Sequence, residues 1–466
     1  MRKVFLIGMV VALIALAAGC KIVVTPAAPN GWSFLNEGSN GNGYYVNGPG
    51  TPPAGRGSAL LTIDGTGREA VATGLFSGRQ LSTFTQLKYS TYQAFSGSPN
   101  ETLYLQFDVD YDSTDSSTAY QGRLVYVPSA SQTVSPRVWQ TWDTMDANGS
   151  WYSSASGGSS FRPIINDSPE ANPPCNQTTF CTWATLMAAY PNARVRPTVS
   201  GVPGPLMVRA GGPVTGGFVG ATDNVIVGIS GNNIETNFEP GDGNVVINQS
   251  NAASRGFGFV QETPTGSGAF VTGPNGSDGS GSAKLTIDST GGEALANGLF
   301  SGTRFDHLKF LSYKTYQAAA GTHATSLQLD ADYDATDNTT AFQGRAVFEP
   351  ELSGGPAVTS ETWQTWNPLT APSGWWQTGN AIVGGTNVGQ QCTQASPCSF
   401  AQLLAVYPDL AIRPITGQSS GRPIAGGMWL KAGGGWSPGF VGNVDSLTVA
   451  LDVGGVNGTV NYDFEP

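Results

Sequence analysis

The second half of this chain is the first half written again. Leu61-Thr62-Ile63-Asp64 is answered by Leu285-Thr286-Ile287-Asp288, and Gly74-Leu75-Phe76-Ser77-Gly78 by Gly298-Leu299-Phe300-Ser301-Gly302. Trp139-Gln140-Thr141-Trp142 returns as Trp363-Gln364-Thr365-Trp366, and each copy closes on Phe-Glu-Pro, at Phe238-Glu239-Pro240 and Phe464-Glu465-Pro466. The offset runs only from 217 residues (Cys175 to Cys392) to 226 (Phe238 to Phe464), so insertions are small and local. A period this long is a whole domain in tandem rather than a solenoid, and about 210 residues per copy suffice for a complete core. Whatever the chain folds into, half of it must be able to fold that way.

The first twenty residues read as an export signal. Arg2 and Lys3 are followed by the apolar run Val4 to Leu16, the small residues Ala17-Ala18-Gly19, and then Cys20. This ending resembles the lipobox of bacterial lipoproteins, with Leu16 one place earlier than in the commonest form. The resemblance implies cleavage before Cys20 and acylation there, hence an exported protein held to the cell envelope by its N-terminal lipid alone. Lys21, where Asp would mark inner-membrane retention in enteric bacteria, favours the outer membrane if one exists. The expected organisation is signal 1–19, lipidated tether 20–30, domain one 31–240, a Gly- and Asn-rich linker 241–254, and domain two 255–466.

Charge narrows the partners. The formal balance is −11, and removal of residues 1–19, with two basic residues and no acid, takes it to −13. Such a chain repels nucleic acid and anionic lipid heads, which leaves the lipid as the expected membrane contact. Cys175 and Cys181 enclose five residues, as do Cys392 and Cys398. In an exported protein the arithmetic predicts one short-loop disulfide per domain, and no further His or Cys stands near either pair to favour a metal.

Period-two alternation dominates each copy. From Leu103 to Asp112 one face reads Leu, Leu, Phe, Val, Tyr and the other Tyr, Gln, Asp, Asp, Asp, the signature of a half-buried strand, and Ser326 to Asp334 repeats it. Further strands are expected at 122–127, 344–348, 59–63, 87–92 and 225–228. Thr182 to Tyr190 and Ser399 to Tyr407 carry apolar residues at helical spacing and end before Pro191 and Pro408. The predicted fold is all-β: two tandem antiparallel β-sandwich domains of jelly-roll type, each with one short helix.

Three sets of residues are candidates for chemistry. Asp108, Asp110 and Asp112, with Asp330, Asp332 and Asp334, form rows of carboxylates about 7 Å apart along a strand. Ca²⁺ would neutralise such a row; ion pairs to Arg123 and Arg345 on the next strand would serve as well. Trp142, Trp151, Trp366, Trp375 and Trp376 form a candidate platform for stacking on sugar rings, and Trp429, alternating with Met428 and Leu430, points outward beside Lys431. Core packing is the competing role for all of them.

Phe218-Val219-Gly220 with Asp223, repeated as Phe440-Val441-Gly442 with Asp445, leads into each closing Phe-Glu-Pro. In this pattern each copy resembles the jelly-roll carbohydrate-binding modules. The resemblance implies a last strand lying near the first and an acid on it that helps hold a structural calcium, with Glu37 and Glu262 joining Glu239 and Glu465 if the termini pair.

An enzyme is the weaker expectation. The strand acids are all Asp, and His307 and His323 occur in domain two only, beside no nucleophile motif. The expected function is non-catalytic binding of a polysaccharide or surface glycan. The alternatives are a structural spacer or protein-contact surface in the envelope and, more weakly, a polysaccharide-degrading enzyme.

Overall fold

The computed structural model describes residues 20–466 apart from 39, 99, 118, 155–161, 171, 199–204, 212–213, 215, 264, 319–320, 338, 340, 415–426, 434–435 and 437–438. The signal 1–19 lies outside the described residues. The chain forms two compact units: unit 1 comprises the described residues up to Tyr45 and Pro52–Glu239, and unit 2 comprises Val46–Thr51 and Pro240–Pro466.

In unit 1 the long strand Phe218–Ile229 is the hub of a seven-stranded sheet. Along one edge it pairs with Gly57–Ile63 and Asn232–Phe238, and along the other with Phe84–Ser96, which carries Trp139–Asp143. The second sheet runs Trp151–Ser153, Arg123–Tyr126, Tyr104–Asp110, Leu206–Gly211, Arg68–Thr73, Trp32–Asn36. One core cluster takes Leu61, Tyr89 and Val227 from the first sheet and Val71, Leu105, Phe107 and Val208 from the second, as a sandwich requires. Unit 2 repeats this layout. Gly439–Val453 is the hub of its first sheet, and its second runs Phe257–Thr263, Gly292–Asn297, Met428–Gly433, Ser326–Asp332, Arg345–Phe348, Trp375–Gln377.

The alternating strands fall where the pattern placed them, and Leu103, Leu105, Phe107, Val109 and Tyr111 all enter the core. The opposite face is not in water. Asp108, Asp110 and Asp112 are 5%, 1% and 3% exposed, because ion pairs and loops cover them. Both expected helices form: Trp183–Ala189 is capped by Thr182, and Phe400–Val406 by Ser399 in a capping box with Gln402. Unit 1 adds a one-turn helix, Pro128–Ser131, where unit 2 has the tighter turn Pro350–Leu352.

Two segments read as flexible are strands. Cys20–Val24, expected as a tether, pairs in parallel with Asn232–Phe238, Cys20 facing Ile234. Gly243–Ile247, expected as linker, pairs in the same way with Val456–Phe464. Their alternating apolar residues, ending in fully buried Val24 and Ile247, complete the sheet edge, and the Pro and Gly around them had hidden the period.

Candidate functional site

Both predicted disulfides form, Cys175–Cys181 and Cys392–Cys398, each with Cα atoms 5.5 Å apart. They mark an exported protein. Among the described residues no helix is long and apolar enough to cross a membrane.

Four of the five candidate platform tryptophans are core residues. Trp142, Trp151, Trp366 and Trp375 are 1%, 0%, 2% and 0% exposed. Each indole N–H is spent inside the fold: Trp142 on Thr91 Oγ1, Trp366 on Thr315 Oγ1, Trp151 on the carbonyl of Thr144 and Trp375 on that of Pro368. No face remains for stacking on a ligand. Trp139 and Trp142, like Trp363 and Trp366, are three apart on a strand and so face opposite ways, and the inward members are Trp142 and Trp366.

Trp376 differs. It lies on the outer face of its strand and helps line a groove of about 860 Å³ over the second sheet of unit 2, a size suited to a small ligand. Alternation along three strands builds the floor: Ser326, Gln328 and Asp330 from one, Trp429 and Lys431 from the next, Trp376 from a third. Phe342, 59% exposed, stands at the rim, and the buried Trp436 also lines the groove.

Arg345 organises the charges. Its Nε donates to Asp330 at 2.8 Å, its Nη2 to Glu262 at 2.6 Å and its Nη1 to Gln328 at 3.2 Å, and its guanidinium lies 4.3 Å over the Trp429 ring. Lys431 also pairs with Glu262. Burial raises the Glu262 pKa, but the bonds and charges of Arg345 and Lys431 outweigh it and hold the group at about 2. Gly344 (φ +99°) starts this strand, and a Cβ there would sit 2.6 Å from the backbone nitrogen of Gly379, so only glycine lets the chain bring Arg345 in.

Unit 1 has the same network at matching register. Arg123 bonds Asp108 (2.7 Å) and Glu37 (2.8 Å), and Arg209 bonds Glu37 (2.7 Å). The aromatics are different. Met207 stands where unit 2 has Trp429, each paired with a glutamine on one side and an alanine on the other, and Tyr152 stands where unit 2 has Trp376.

The charge that the sequence assigned to a cation is thus supplied, at Asp108 and Asp330, by guanidinium. Asp110 pairs with Arg194 at 2.7 Å; Asp112 and Asp334 accept from the Thr114 and Thr336 turns, and Asp332 is 1% exposed. Among the described residues no three His, Cys, Asp or Glu side chains come together as a metal site. Glu37 and Glu262 belong to the edge of the second sheet, where they bond Arg123 and Arg345, whereas Glu239 and Glu465 follow the closing strand of the first sheet. Glu239 instead accepts from the backbone of Arg56, and Glu465 from that of Ser280. Asp223 and Asp445 are buried acceptors of backbone N–H groups from Ala54 and Phe238 and from Asp278 and Phe464.

Two indole N–H groups in the groove, those of Trp376 and Trp429, are buried and have no acceptor among the described residues; one buried carboxylate oxygen, Glu351 Oε2, has no donor. Native folds rarely leave such atoms unpaired, and a bound polar molecule would satisfy them. Glu351 accepts at Oε1 from His323 Nδ1 at 2.8 Å, and the His323 ring lies parallel to Trp436 with centroids 4.8 Å apart. Sequence reasoning set Trp429 outward but left it out of the platform. It missed Trp436, Glu349, Glu351 and His323, which only the folded turn Pro350–Leu352 brings to one end of the groove.

No protein-family model matches the chain, and no curated protein matches it. Among solved structures, the chain aligns with the N-terminal CBM22-1–CBM22-2 tandem domain of Paenibacillus barcinonensis Xyn10C at 8% identity and a TM-score of 0.23, over 90% of this chain and 93% of that one. It also aligns with the C-terminal domain of the antigen I/II-family protein AspA of Streptococcus pyogenes at 9% identity and a TM-score of 0.13, over 91% and 99%.

Proposed function

We propose that this is an exported binding protein of the cell envelope, lipidated at Cys20, that holds a glycan in the groove of unit 2 without cleaving it. The observation that supports this reading most is the pairing of aromatic surface with unspent donors. Trp376 brings a half-buried ring to the groove, Trp429 lies in its floor beneath Arg345, and both indole N–H groups are buried without an acceptor among the described residues. A sugar offers apolar C–H faces to rings and hydroxyl oxygens to such donors, so one ligand meets both needs. The main acids of the floor are committed to Arg345, which suits fixed recognition better than proton transfer.

The spacer reading fits unit 1. With Met207 and Tyr152 at the places of Trp429 and Trp376, it keeps the charge network and has less of the aromatic floor. Unit 1 also carries Cys20 as the first residue of a sheet strand. A lipid on that residue leaves no slack chain between the lipid and the first strand of unit 1.

The test is binding of the chain from Lys21 onward to a panel of soluble polysaccharides, followed by tryptophan fluorescence. Retention of one glycan class, lost in Trp376→Ala, is expected. Binding that persists in Trp376→Ala and Trp429→Ala places the ligand elsewhere. Lipidation is tested by labelling cells with a radioactive fatty acid; Cys20→Ser removes the label.

A further inference from the structure

The groove is electrically lopsided. Toward Arg345 the acids Glu262 and Asp330 are matched by Arg345 and Lys431, and Arg413, 5.9 Å from the Phe342 ring, adds a further positive charge. Toward the turn Pro350–Leu352 stand two more acids, Glu349 and Glu351, and their side-chain partners among the described residues are Gln394 and His323. Gln394 is uncharged, and one imidazole can offset no more than one of the two acids. That end therefore holds an excess of negative charge in a partly closed space.

The excess is not idle surface. Glu351 Oε2 is buried with no donor among the described residues, and the N–H of Trp429, which lines the same groove, is buried with no acceptor among them. Burial pushes the Glu351 pKa up against the His323 bond, with the Glu349 charge adding to it. The stacked pair of Trp436 and His323 walls the space. None of this exists in unit 1. By the shared turn and strand positions, Val127 replaces Glu349, Ser129 replaces Glu351, Glu101 replaces His323 and Val214 replaces Trp436.

We propose that this end of the groove takes a protonated primary amine, so that the glycan recognised is one bearing free amino groups, such as an oligomer of glucosamine. The ammonium donates to Glu351 Oε2 and Glu349 while its sugar ring lies along Trp376. The inference rests on the glycan reading above and narrows it to a cationic amino sugar.

The test compares three short oligomers of one linkage, glucosamine, N-acetylglucosamine and glucose, by calorimetry on the chain from Lys21 onward in 0.15 M salt. A charge-assisted hydrogen bond in a partly closed site gives the glucosamine oligomer an advantage of about tenfold or more. Glu351→Gln and Glu349→Gln keep the side-chain shape and are expected to remove that advantage. Glu235→Gln, in unit 1 where the side chain pairs with Lys21, leaves it intact. Equal affinity for the three oligomers overturns the amine proposal and leaves the groove reading standing, provided Trp376→Ala still abolishes binding. A preference that survives both glutamine variants reflects bulk attraction to an acidic protein and also overturns it. Failure of every oligomer to bind, with retention of some other glycan from the panel, rejects the amine and keeps the groove. A melting curve for each variant separates lost binding from lost fold.

Discussion

The guanidinium of Arg345 lies 4.3 Å over the ring of Trp429 while its Nε donates to Asp330 at 2.8 Å. One side chain thus ties the acid row to the aromatic floor. Arg345→Met leaves Asp330, 3% exposed, without its cation, and breaking one side of a buried pair costs about 3–5 kcal/mol. Denaturant melts are expected to show the loss; Arg345→Lys, which keeps charge but not the fork, recovers only part of it.

The buried tryptophans separate stability from binding. Trp142→Ala and Trp366→Ala each remove a core indole and are expected to cost about 3–5 kcal/mol. Trp376→Ala, at the groove, is expected to lower the melting temperature far less and to lose the ligand. Calorimetric melts and a binding titration on the same samples decide it.

Acidity is expected to stabilise this protein down to about pH 5. Burial raises Glu69 and Glu293 to about 7 and Asp223 to about 8. Below the unfolded value of 4.5 both states of Glu69 and Glu293 hold the proton, so burial carries no penalty. As pH rises from there toward 7 the unfolded chain ionises while the folded one keeps the proton, so stability falls. Glu262, held at about 2, has the opposite sign: its contribution is present above 4.5 and is lost as pH drops toward 2. Melting temperature should peak near pH 5 and decline toward pH 8, and Glu69→Gln with Glu293→Gln should flatten that decline. A rise from pH 5 to 8 would contradict the account.

The disulfide loop of unit 2 is pinned to the strand that carries Trp376. The Trp375 backbone exchanges hydrogen bonds with Cys398 at 3.0 and 2.8 Å, and Gln394 of the loop reaches Glu349. Replacing Cys392 and Cys398 by Ser is expected to cost about 2–3 kcal/mol by loop closure. It should also weaken ligand binding in the surviving fold, whereas the Cys175 and Cys181 pair of replacements should not; parallel titrations of the two variants make the comparison.

The sandwich was legible because alternation, turn residues and duplication are local or periodic signals. Leu103 to Tyr111 announced their inward face two residues at a time, and Thr182 and Ser399 announced their helices. The groove was legible only in pieces. Trp429 alternates visibly, but whether a tryptophan enters a core or a groove depends on what covers its face, and Trp142 and Trp429 read alike in one dimension. His323 and Glu351 are 28 residues apart and meet through a turn that no period foretells. The strands Cys20–Val24 and Gly243–Ile247 were missed because an edge strand is fixed by the partner it joins, here the closing strand of its own unit.

The most direct test of the account is a titration of the mature chain with the best-retained glycan, read by tryptophan fluorescence, in parallel with Trp376→Ala and Met207→Trp. A groove in unit 2 predicts one site per chain, lost in the first variant and untouched by the second. Two equal sites per chain, or full binding by Trp376→Ala, would contradict it.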